Sequence, residues 1–153
     1  MARRGEFFFD QDGLTACPGV SKLIRALSQR KNVVLGLQTG NIHATAHQKL
    51  RSANINPLLF RVGVYGSDAA NRVDFLPIAW QRARHVLNMS AIESDTVVIG
   101  DTPADIECAT ANGAVAIGVA TGSYSIDSLA RYNPNHVIAD FSDTEHTLQI
   151  LFA

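Results

Sequence analysis

The stretch TVVIGDTPADIECATANG (residues 96–113) decides how this chain folds. Val97, Val98 and Ile99 make a short apolar run with no polar alternation, the pattern of a strand covered on both faces. Asp101 follows the run, Pro103 suits the first turn of a helix, and Asn112 with Gly113 supplies the helix stop. One strand therefore passes directly into one helix, with two carboxylates, Asp101 and Asp105, at the junction.

Outward from that unit the same alternation continues. VVLGLQ (33–38), FRVGVYG (60–66), AVAIGVA (114–120) and HVIAD (136–140) are further short, mostly β-branched runs. Val20, Leu23, Ile24 and Leu27 repeat at helical spacing after Pro18, as do Leu76, Ala79, Trp80, Ala83 and Leu87, with Pro77 early enough for a first turn. Strands alternating with helices of this length imply parallel strands joined by right-handed crossovers, hence an α/β three-layer sandwich around a mainly parallel, Rossmann-like sheet. FFFDQDG (7–13) reads as its first strand and the turn beyond it, three consecutive Phe being acceptable in a doubly covered strand.

Composition sets bounds on what such a sheet does. A chain of 153 residues reads as one domain, 1–153, able to bury a core without staples. Its 13 basic and 14 acidic side chains nearly cancel, and no basic-aromatic stripe marks nucleic acid as the primary partner. Cys17 and Cys108 lie far apart and match no zinc or CxxC spacing, so both read as reduced packing thiols. No apolar run is long enough to span a membrane, and the apolar stretch within MARRGEFFF is too short for a secretory leader. A cytoplasmic protein with no membrane partner is expected.

In sheets of this kind ligands bind beyond the carboxyl ends of the strands. Asp10 and Asp12 follow the first run, Thr39, Gly40 and Asn41 the second, Arg72 the third, and Asp101 and Asp105 the fourth. Several carboxylates brought together repel unless a cation neutralises them, and magnesium prefers such hard oxygen donors. A hydroxyl, backbone N–H groups and a guanidinium are suited to the oxygens of a phosphate. The collection therefore suits phosphoryl transfer assisted by Mg2+, in which a carboxylate can serve as nucleophile.

DQDG (10–13), LQTGN (37–41), the Arg72 segment and VVIGDTPADIECA (97–109) together resemble the haloacid dehalogenase superfamily of hydrolases. GDTPAD matches that family's GDxxxD, and PGVSKLIRALSQRKNVVLGLQTGN is similar to its phosphoglycolate-phosphatase-like members. The resemblance implies a magnesium-dependent phosphomonoester phosphatase working through an aspartyl-phosphate. It makes Asp10 the nucleophile and Asp12 the general acid/base. Thr39, Gly40, Asn41 and Arg72 would form the phosphate site, with arginine where many members have lysine. Asp10, Asp12, Asp101 and Asp105 would form the metal site, Asp12 through its backbone carbonyl and Asp105 in support, through water.

Two departures from the family pattern stand out. DQDG is followed by Leu14 and Thr15 rather than directly by threonine, and seven residues separate Asp10 from Pro18, too few for the helical cap that similar members often insert there. A HAD-like core with no cap domain is therefore expected, acting on a small phosphorylated substrate or on an exposed phosphate of a larger one; a homodimer is one way of closing the uncovered site. The alternative is a non-catalytic or truncated HAD-like domain that retains phosphate and metal binding without a working nucleophile. A phosphoacceptor receiver domain fits less well, because Thr39 precedes both Arg72 and the second acidic cluster.

Other features have ordinary readings. His43 and His47 stand at i and i+4 with no third ligand evident, so they read as solvent-facing. Trp80 reads as core, Asp68 as a turn residue, and GSYS (122–125) as a loop at the site edge. Asp101 could alternatively cap the following helix.

Overall fold

The computed structural model describes the backbone of residues 5–9, 17–88 and 95–153, and the side chains of residues 17–88 and 95–153. In chain order the strands are β1 (Gly5–Phe9), β2 (Val33–Gln38), β3 (Phe60–Val64), β4 (Thr96–Gly100), β5 (Val115–Val119) and β6 (His136–Ile138). The helices are α1 (Val20–Ser28), α2 (His43–Ser52), α3 (Phe75–Leu87), α4 (Pro103–Ala111), α5 (Ile126–Ala130) and α6 (Thr144–Leu151). Single 3-10 turns at Pro57–Leu59 and Arg72–Asp74 precede β3 and α3.

All strand pairs are parallel, in the order β3-β2-β1-β4-β5-β6. The chain winds outward from β1 to β3, returns across the sheet, and winds the other way from β4 to β6. Helices must change face when the winding direction changes and the crossover hand does not. They do: α1 and α2 supply Val20, Leu23, Ile24, Leu27, Ala46 and Leu50 to one core cluster, whereas α3, α4 and α5 supply Phe75, Leu76, Trp80, Ile106 and Leu129 to the other. Because side chains alternate along a strand, β4 sends Val97 and Ile99 to the first cluster and Val98 to the second. The three layers expected from the sequence are present.

β1 is a central strand. It pairs on one side with β2 (Phe9 opposite Leu37) and on the other with β4 (Phe9 opposite Ile99). GEFFF thus takes a central place in the sheet, as expected of the first strand. The reversal of winding falls between β1 and β4, the switch point where open α/β sheets leave a crevice at their carboxyl edge.

The remaining elements end where sequence chemistry directs. Asn112 closes α4 and Gly113 follows in the left-handed region at φ 72°, which a side chain would strain. Ser125 caps α5 by accepting from Ser128 N–H, so GSYS is a loop that runs into a helix start. Trp80 is buried and its indole N–H donates to Thr96 Oγ1 at 2.9 Å. Among the described residues no helix is long and apolar enough to cross a membrane.

Candidate active site at the carboxyl edge

The segments after β2, β3 and β4 carry Thr39, Gly40, Asn41, Arg72, Asp101 and Asp105, and the structure places Arg72 beside both Gly40 and Asp105. Thr39 is fully buried, its N–H bonded to Val64 O of β3. Its hydroxyl accepts from both Asn41 N–H (3.1 Å) and Asn41 Nδ2 (3.0 Å), which orients the O–H for donation elsewhere. Lys49 on α2 donates to Asn41 Oδ1 at 3.3 Å and so steadies the amide. Gly66 N–H donates to Asn41 O, and Gly66 packs so closely on the Gly40 carbonyl that a Cβ at Gly66 would overlap it. The loops after β2 and β3 are zipped backbone to backbone.

Arg72 reaches this loop from the turn before α3. A Cβ at Gly40 would lie 3.9 Å from Arg72 Nη2, and the guanidinium carbon sits 5.0 Å from the centre of the Phe75 ring. Arg72 Nη1 is 3.7 Å from Asp105 Oδ1, with the Arg72 side chain 18% exposed and Asp105 1% exposed. The Asn112 amide donates to Val73 O (2.9 Å) and Cys108 O (2.8 Å), tying the Arg72 turn to α4.

Asp105, third residue of α4, has both oxygens engaged. Oδ2 accepts from Thr102 N–H (3.2 Å) and Thr102 Oγ1 (2.8 Å), while Oδ1 meets Gln38 Nε2 (3.5 Å) and Arg72. The helix cap is therefore Thr102 with Asp105 reciprocating, not Asp101. Asp101 stands in the β4–α4 turn with its carboxylate against the Gly122 backbone, where a Cβ would overlap it. Gly100 is similarly pressed by the Asp105 side chain. Gln38 was absent from the expected site; the signal available was a carboxamide ending an otherwise apolar strand.

Asp10 and Asp12 lie outside the described residues. Asp10 follows directly on Phe9, whose sheet partners Leu37 and Ile99 precede Gln38-Thr39 and Gly100-Asp101. The expected metal ligands that are described divide in two. Asp101 has a half-buried carboxylate at the edge, suited to meet a hard cation, whereas the bonds on Asp105 suit it to support from behind. Among the described residues no three His, Cys, Asp or Glu side chains group as metal ligands.

Other expected features resolve differently. His43 is exposed, but His47 is half-buried, so the expectation that both face solvent holds for one of them. Their rings stack at 3.9 Å, and His47 Nε2 lies 3.1 Å from Tyr65 Oη. Burial, then the neighbouring His43 and Arg51, push the His47 imidazole below its ordinary value, and burial pushes the Tyr65 phenol up. Asp68 forms a two-point ion pair with Arg82 (2.7 and 2.8 Å) and accepts from Tyr65 N–H, so it fixes the turn after β3. The Arg82 hydrogen bonds hold its carboxyl below the usual carboxylate range. Cys108 is buried and its thiol is pushed up to about 11, as a packing residue should be.

The fold is an open parallel α/β sheet with its switch point between β1 and β4. Residues 76–144 match the family model described as HAD-hydrolase-like. Among solved structures the chain is similar to a hydrolase from Pseudomonas syringae, with TM-score 0.73 and 22% identity over 89% of this chain and 60% of that one. It is also similar to a HAD family hydrolase from Deinococcus radiodurans R1 with bound phosphate and sodium (0.70, 18%, 90% and 60%). A third is described as a "predicted phosphoglycolate phosphatase", from Haemophilus somnus 129pt (0.68, 19%, 86% and 56%). No curated protein matches the chain in sequence. The chain has a haloacid dehalogenase-like fold, and its residues 76–144 carry the sequence pattern of HAD-like hydrolases. It spans 60% or less of the length of these three structures.

Proposed function

We propose that the carboxyl edge hydrolyses phosphomonoesters, on a small phosphorylated substrate or on an accessible phosphate of a larger one. The observation that supports this reading is that Arg72 lies beside both the Thr39–Asn41 loop after β2 and Asp105 at the start of α4, with Asp101 in the turn that leads from β4 into that helix. The Thr39 hydroxyl and the Arg72 guanidinium supply donors for phosphate oxygens. Bound magnesium, held by Asp101 with Asp105 in support, would offset the charge gathering on the phosphate.

In this reading an Asp10 oxygen attacks phosphorus and the bond to the leaving oxygen breaks, that oxygen taking a proton from Asp12. Water then attacks the aspartyl-phosphate, giving its proton back to Asp12 and freeing inorganic phosphate. The proton count returns to its start after each turnover.

Hydrolysis of an aryl phosphate in the presence of MgCl2 tests the proposal. Native protein is expected to turn over, and Asp10→Asn to lose about a thousandfold or more. Native protein with no turnover above background would leave a domain that binds phosphate without hydrolysing it. Activity undiminished in Asp10→Asn would reject Asp10 as nucleophile.

A further inference from the structure

Gln38 is the last residue of β2 and is 1% exposed. Alternation along the strand places Leu35 and Leu37 in the α1/α2 cluster and turns Gln38 toward the opposite face, where α4 lies. There Nε2 donates to Asp105 Oδ1 at 3.5 Å, while Oε1 is buried with no hydrogen-bond partner among the described residues. The amide's described contact is the one with Asp105. That carboxylate joins β2 through Gln38, the turn before α3 through Arg72, and the β4–α4 turn through Thr102.

We propose that Gln38 is a positioning residue for the anion site: its amide fixes Asp105, and through Asp105 it sets the direction of the Arg72 guanidinium over the Thr39 loop. The inference rests on reading this edge as a phosphate site. An acceptor or an apolar group at position 38 would leave Arg72 as the remaining described partner of Asp105 Oδ1, drawing the guanidinium toward the carboxylate and away from a bound anion. Gln38 itself touches neither substrate nor metal in this scheme.

Gln38→Met removes both polar atoms at nearly constant volume. Three measurements on the full chain decide the matter: thermal unfolding, the Arg72 Nε–Hε correlation in 1H–15N spectra, and calorimetric binding of inorganic phosphate with MgCl2. The expected result is a melting temperature within a few degrees of native, a shifted Arg72 signal, and phosphate binding weakened about tenfold. Asp105→Asn should move the same signal, and the double variant should bind phosphate no more weakly than the worse single one, because the two act in series. An unmoved Arg72 signal in folded Gln38→Met, or additive losses in the double variant, would overturn the proposal. Should Gln38→Met fail to fold, Gln38→Glu keeps the shape while replacing the donor by an acceptor, and the same displacement of the Arg72 signal is expected. If native protein binds no phosphate, the reading of the edge falls; the Arg72 signal still decides whether Gln38 positions it.

Discussion

At the scale of single residues, what matters is how each polar atom is employed. If Asp101 holds magnesium as proposed, MgCl2 is expected to raise the melting temperature of the native protein and Asp101→Asn to abolish that rise. Thermal unfolding with and without the salt checks this, since any ligand that binds only the folded state stabilises it by mass action. His47 provides a pH test. Its imidazole is held below the ordinary value of about 6.5, so the unfolded chain takes up the proton first as pH falls. Stability contributed by neutral His47 is complete above the ordinary value and is lost as pH falls through it toward the lower folded-state value. His47→Gln is therefore expected to flatten melting temperature against pH in that window. The Asp101 and Thr39 positions were legible in the sequence because each stands just past an apolar run. Gln38 and the His47–Tyr65 contact were not, since they depend on which face a strand residue takes and on a neighbour 18 positions away.

At the scale of elements, glycines at the loop junctions separate two kinds of close packing. Gly66→Ala would drive a methyl group into the Gly40 carbonyl, which belongs to backbone and has nowhere to go. A loss of about 1–3 kcal/mol in unfolding free energy is expected, measured by denaturant titration. Gly122→Ala would instead meet the tip of the Asp101 side chain, which can swing aside. Its stability should stay close to native, while, on the proposed metal role of Asp101, the magnesium concentration needed for half-maximal activity should rise. Element type and order were readable from periodicity, because a doubly covered strand and an amphipathic helix bury apolar residues in different rhythms. Ends were less so: FRVGVYG loses its last two residues from β3, because Gly66 N–H bonds to Asn41 O and Tyr65 N–H to Asp68. The short α5 has too few residues for its period to show.

At the scale of the molecule, the sheet order makes β1 a keystone. It carries parallel pairing to β2 and β4 at once, so without it the two halves of the sheet share no strand. Deleting residues 1–9 is expected to abolish cooperative unfolding, visible as loss of a sigmoidal transition by circular dichroism. The same order brings the β2, β3 and β4 loops to one edge, and the Asn112 amide bolts the turn bearing Arg72 to the helix bearing Asp105. Charge and countercharge are thus assembled while the chain folds, ahead of any encounter. On the proposed reading, an arriving anion would find its receptor already arranged, the entropy of ordering that guanidinium having been met by the scaffold rather than drawn from the affinity.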